Sequence, residues 1–199
     1  MLYGVAAVLA AVTFTVSGPV YVACDGYLPD SRVTIVTERV SYGRDEDDLI
    51  NKEVVSVSDM ELLIDRYVTL YPDSALKDCA GAFIEASNQT GMDPIFFFSL
   101  CGIESGWGTS QVHIKQGNPY SLGMYGDGVH NGYDVGDTFY AGIVEGANYI
   151  YENYYCKGQT TLYSMNHQGD HSYCAEDSEW ERQIEEEMAY CKKLLAERL

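Results

Sequence analysis

Asp93-Pro-Ile-Phe-Phe-Phe-Ser-Leu-Cys-Gly-Ile-Glu-Ser-Gly-Trp-Gly108 is the stretch on which the fold turns. Its run of apolar residues reads as a buried helix. Asp93 stands as its N-cap and Pro94 takes the first helical position, where a missing N–H costs nothing. Gly106 and Gly108 break the helix just past Glu104. A single carboxylate is thus carried at the end of a buried helix, beside Trp107 and partly shielded from water. Desolvation disfavours the charged form and raises the pKa, as a general acid working near neutral pH requires. A helix-terminal acid without a function would account for Glu104 alone. It would not account for the octapeptide around it, Ile103-Glu-Ser-Gly-Trp-Gly-Thr-Ser110.

The rest of the chain supplies partners for that helix. Ser58 with Glu61 forms a capping box, and the helix it opens carries Leu62, Leu63, Tyr67 and Leu70 on one face. A second helix spans about 74–88 and stops at Gly91. Between Gly117 and Asp137 there are six Gly among Tyr, Asn and Asp, which suits irregular loops or a short hairpin lining a cleft. Tyr140–Tyr155 reads as a helix. Trp180–Leu195 reads as a closing one, with Ile184, Met188, Cys191 and Leu195 at helical spacing. Upstream, residues 32–42 are β-branched and partly alternating, as in a short strand, and Gly43-Arg-Asp-Glu-Asp-Asp48 is a solvated acidic turn. The expected organisation is a hydrophobic segment over 1–23, a linker or stalk over 24–57 and a globular domain over 58–199. Its class is mainly α (α+β), with a small irregular or β-hairpin lobe flanking the cleft.

Composition limits the function classes. The 199 residues hold 12 basic and 30 acidic side chains, for a formal charge of −18. A chain so acidic is a poor nucleic-acid binder, because phosphate contacts need clustered Lys and Arg. Anionic wall polymers would be repelled as well. The 17 Tyr offer flat apolar faces with a hydroxyl, which suit sugar rings as well as a core. Residues 2–23 are almost wholly apolar and long enough to span a bilayer, without the basic flank of an ordinary signal peptide. As an uncleaved anchor or a signal peptide, they imply export and association with a membrane. The six Cys show no CxxC spacing, and His113, His130, His167 and His171 show no metal spacing, so no metal or cofactor is expected. Export permits disulfides. Cys156 with Cys174 is the first expected pair, around the Gly- and His-rich segment, and Cys79 with Cys191 the second. Cys101 reads as a buried thiol.

The octapeptide, together with Gly117-Asn-Pro-Tyr-Ser-Leu-Gly123, resembles the glucosaminidase family of peptidoglycan hydrolases. Its members carry a similar Glu-Ser-Gly-Trp-Gly-Ser segment and, soon after, an Asn-Asn-Leu-Phe-Gly-like turn. The likeness runs from about Ser58 to the C-terminus and is strongest between Asp93 and Ile150. It implies a mostly helical, lysozyme-like fold and hydrolysis of the β-1,4 bond after N-acetylglucosamine in bacterial wall glycan strands, with Glu104 as the catalytic acid. The family often takes a second acid from a downstream hairpin, frequently Glu. Here no Glu stands between Glu104 and Glu145. Asp137 and Asp134 are the substitutes, ahead of Asp127, unless the substrate's own N-acetyl group assists. His171-Ser-Tyr-Cys-Ala-Glu-Asp-Ser-Glu-Trp180 resembles the family's late Tyr-Ala-x-Asp-x-x-Tyr segment, which makes Tyr173 a cleft-lining residue. Tyr120 matches the aromatic of the turn, and Asn118 is placed to hold that turn or to meet substrate. Trp107 either packs under Glu104 or stacks on a sugar, with packing ahead. A lytic transglycosylase or muramidase on the same fold, and a non-catalytic wall-binding protein, are the alternatives.

Overall fold

The computed structural model describes residues 48–50, 54–124, 132–169, 172–174 and 179–198. Among them run α1 (Val57–Leu70), α2 (Ala80–Thr90), α3 (Pro94–Ser105), α4 (Gln111–Lys115), α5 (Phe139–Asn153), α6 (Leu162–His167) and α7 (Trp180–Ala196), with a 3-10 turn at Tyr155–Lys157. The mainly α architecture is as expected.

α3 is the Phe-rich helix, and all of it but Ile103 and Glu104 is buried. The Asp93 carboxylate accepts from the Ile95 amide at 2.8 Å, Pro94 follows the cap, and Gly106 ends the helix in the left-handed region at φ 58°. Phe98 meets Tyr67 and Phe83 edge-on, with ring centroids 5.8 and 5.4 Å apart. Such pairs add ~0.5–1.5 kcal/mol beyond the area they bury. α3 packs against α2 and α7, and α2 in turn against α1 and α5. The chain then doubles back so that the Trp107 indole lies over Gly102. A Cβ on Gly102 would stand 2.3 Å from that ring, so the close approach requires glycine.

Three expected boundaries move. The first helix is capped by Ser56 rather than Ser58: Ser56 Oγ accepts from the Asp59 amide at 3.2 Å, and the Asp59 carboxylate accepts from the Ser56 amide at 2.9 Å. Two overlapping Ser-x-x-acid boxes exist here, Ser56 with Asp59 and Ser58 with Glu61. The first wins, and the buried face is Met60, Leu63, Ile64 and Tyr67, with Leu62 and Leu70 exposed. The second helix starts at Ala80 rather than near Ser74. Asp78 is left-handed at φ 64°, which a continuous helix cannot contain, and Ser74 Oγ donates to the Trp107 carbonyl at 2.5 Å. The folded body also begins before Ser58. Leu49 is in the core at 2% exposure, its amide donates to the Thr160 carbonyl, and its carbonyl accepts from the Asp93 amide.

Short helices α4 and α6 fall in segments for which no element was expected. The β content among the described residues is two isolated bridges, Asp48 with Thr161 and Ile50 with Met92. The lobe after α4 is irregular: the amides of Tyr133, Val135 and Gly136 donate to the carbonyls of Leu122, Gln116 and Gly117. Residues 1–23, the expected strand over 32–42 and Asp127 lie outside the described residues. Among those described, no helix is long and apolar enough to cross a membrane.

Candidate active site

Glu104 projects from the last turn of α3, and α7 supplies its first partner. Trp180, the opening residue of α7 and 4% exposed, donates from Nε1–H to Glu104 Oε1 at 2.9 Å. Burial pushes the Glu104 carboxyl above its ordinary range. The hydrogen bonds from Ser121 and Trp180 pull the other way, because both favour the charged form. Burial is the largest of these effects. The carboxyl therefore keeps its proton to higher pH than an exposed Glu, and two donors stand ready for the anion left when the proton goes.

Tyr173 completes the surround. Its ring stacks on Trp180 with centroids 5.0 Å apart and 26° between planes, and it leans on Tyr154 at 5.3 Å. Its hydroxyl donates to the Tyr120 carbonyl at 2.6 Å, and its amide donates to the Met165 carbonyl at 2.8 Å. Burial first, and the Glu104 charge next, push its phenol well above the ordinary range, so it stays neutral. The structure thus brings Glu104, Ser121, Tyr173 and Trp180 together.

The other expected residues are placed differently. Trp107 stacks on Tyr67 with centroids 3.5 Å apart and an 8° tilt, and touches Phe98, so its ring is packing between α1 and α3. Tyr120 is fully buried against Phe97 and Gly146 and has no face left for a sugar. Asn118 is buried too. Its amide donates to the Leu122 carbonyl and its side-chain oxygen accepts from the Leu122 amide, both at 2.9 Å, which closes the turn. Asn118→Ala should cost ~1–3 kcal/mol in urea unfolding, because both Leu122 groups lose their partner. A raised KM at unchanged stability would instead show that Asn118 meets substrate. Asp134 and Asp137 are exposed on the segment leading into α5.

The Cys156–Cys174 bond is not formed, because Cys174 is a free thiol. Tyr173, anchored to Met165 and Tyr120, holds this segment instead. Cys79 and Cys191 are separate buried thiols, donating to the Ala75 carbonyl and the Glu187 carboxylate.

Sequence reading missed Trp180, Ser121 and His113 as site residues. The first two stood inside the motif segments quoted above, at the end of one and within the turn of the other. His113 carried no local signal.

No protein-family model matches the chain. Bifunctional autolysin of Staphylococcus aureus is 29% identical over 130 residues, which cover 53% of this chain and 10% of the autolysin. The chain therefore spans only a small part of the length of the curated relatives it matches. The crystal structure of S. aureus Autolysin E superposes with a TM-score of 0.60 at 23% identity, covering 75% of this chain and 71% of that one. A catalytic mutant of Autolysin E in complex with the disaccharide NAG-NAM superposes with a TM-score of 0.56 at 19% identity, covering 79% and 76%. The family resemblance drawn from the two motifs, and the lysozyme-like helical fold, are borne out by these likenesses.

Proposed function

We propose that this chain is a glycoside hydrolase of bacterial wall glycan that cleaves the β-1,4 bond after N-acetylglucosamine, with Glu104 as general acid. The observation that carries the reading is the Glu104 carboxyl itself: its pKa is raised by desolvation, and it is met by the Trp180 indole N–H. It sits in a fold shared with an autolysin whose catalytic mutant holds a NAG-NAM disaccharide.

The chemistry follows from that setting. Protonation of the glycosidic oxygen needs an acid that is still protonated near neutrality. Once the proton leaves, the carboxylate is held by Trp180 and Ser121, so the donors that favour the charged form stabilise the product state. Tyr173, neutral and stacked on Trp180, forms the aromatic wall beside the acid. The positive charge developing on the sugar needs a second carboxylate or the substrate's own N-acetyl group. Asp137 and Asp134 are exposed and free to meet a water. One of Asp134→Asn or Asp137→Asn should slow wall digestion nearly as much as loss of Glu104. If both variants remain active, assistance by the N-acetyl group takes that role.

The site of action is the wall outside the cell, which requires export. Residues 2–23 serve as anchor or signal in this reading. Mass spectrometry of digested wall glycan decides the reaction. New reducing N-acetylglucosamine ends support the proposal. Anhydro-muramic ends would make the protein a transglycosylase, reducing muramic ends a muramidase, and undigested glycan a non-catalytic binder.

A further inference from the structure

His113 on α4 is 7% exposed, and each of its ring nitrogens meets a hydroxyl. Nδ1 lies 2.6 Å from Ser110 Oγ, and Nε2 lies 2.8 Å from Ser121 Oγ. Ser121 in turn is a hydrogen-bonding neighbour of the Glu104 carboxyl. The three contacts make a continuous line from Ser110 through His113 and Ser121 to the acid. Ser121 also holds the left-handed conformation at φ 54°, uncommon for a residue with a Cβ. The surroundings impose that conformation: Asn118 clamps Leu122 on one side, and the imidazole holds the Ser121 hydroxyl on the other.

Hydrogen counting fixes the direction of this line. Burial disfavours the imidazolium and pushes the His113 pKa down, so the ring is neutral near pH 7 and has one N–H to give. Ser121 has one hydrogen, and a carboxylate can only accept. With Glu104 ionised, Ser121 donates to it. Nε2 must then be the protonated nitrogen, donating to Ser121 Oγ, and Nδ1 accepts from Ser110.

We propose that His113, as its Nε2–H tautomer, is a positioning residue that aims the Ser121 hydroxyl at the carboxyl of Glu104. It touches no sugar and acts only through Ser121. Its consequence for rate rests on the reading of Glu104 as general acid; its consequence for the carboxyl does not. The other titratable groups facing Glu104 among the described residues are Tyr173 and Cys101, both held neutral by burial. The groups of the site left to titrate are therefore Glu104, raised by burial, and His113, lowered by it.

The full chain, labelled with ¹³C at the Glu carboxyls and ¹⁵N at the His rings, allows a direct test by NMR. Above the pH at which Glu104 ionises, the ¹⁵N shifts should identify His113 as the Nε2–H tautomer. Ser121→Ala and His113→Phe should each move the Glu104 titration to higher pH, because the charged form loses a donor. His113→Gln, whose amide can still donate to Ser121, should move it back toward wild type. The alkaline limb of wall digestion should follow in the same direction, with His113→Phe slower by ~10–100-fold. A merely structural histidine would alter stability and leave the Glu104 midpoint in place. Folded Ser121→Ala with an unmoved midpoint, or an Nδ1–H tautomer in the wild type, overturns the proposal, and both readings remain accessible if His113→Phe does not fold. Wild-type protein that releases no glycan fragments overturns the hydrolase reading alone, since the carboxyl titration still judges the relay.

Discussion

Glu104→Gln should lower wall digestion by ~10²–10⁴-fold while leaving the fold in place. Gln keeps an oxygen that can accept from Trp180 Nε1–H, so the α3–α7 contact survives, but it has no proton to give. The same substitution tests the electrostatics independently. Burial raises the Glu104 pKa above its ordinary 4.5 in the folded chain. The folded state then binds more protons than the unfolded one as pH rises above 4.5, so the wild type loses stability through that window until the folded carboxyl has ionised. Gln carries no charge at any pH. Its stability relative to wild type should therefore be level at acid pH and increase as pH rises. Urea midpoints measured across the pH range check this. Most of the activity retained in a folded variant would remove Glu104 from the chemistry, and a flat stability difference would show that its charge is not desolvated.

Phe98→Ala should cost ~3–5 kcal/mol, which for a body of this size is a fall in Tm of roughly 6–20 °C. Phe98 is fully buried, meets Tyr67 and Phe83 edge-on, and lies 5.6 Å from Trp107. Its loss opens a cavity where α1, α2 and the chain after α3 converge, and it leaves the stack of Trp107 on Tyr67 without support. Near-UV circular dichroism should weaken along with the thermal midpoint. Val112→Ala, at an exposed position of α4, is the control and should change stability by no more than ~0.5 kcal/mol. A loss below ~1 kcal/mol for Phe98→Ala would mean that α3 is not the shared core.

Some features were legible because their causes are local. The bounds of α3 follow from Asp93, Pro94 and Gly106, whose effects act within one turn. α5 and α7 show helical spacing over three turns or more, and the structure differs from the expected ends by at most two residues. The capping of α1 was ambiguous for a physical reason. Ser56 with Asp59 and Ser58 with Glu61 satisfy the same local rule, and burial of Met60 and Ile64 against the core separates them. α4 and α6, five and six residues long, are too short to show a period. Their helicity comes from tertiary packing rather than propensity. The expected disulfide failed because cysteine spacing says nothing about which side chains meet.

The sequence by itself determined that a carboxylate would end a buried, Phe-rich helix, since composition and caps act on neighbouring residues and need no partner. It also determined the family likeness, through two short motifs only a few residues apart. The tertiary structure alone decided what that carboxylate touches. Trp180 reaches Glu104 from 76 positions away, and Tyr173 fastens to Tyr120 from 53 positions away. Such contacts exist only after α3 and α7 have packed. The same packing settled Trp107 and Tyr120 as core rather than sugar-facing rings, because a large ring gains more by filling a void beside Gly102 or Gly146 than by facing water.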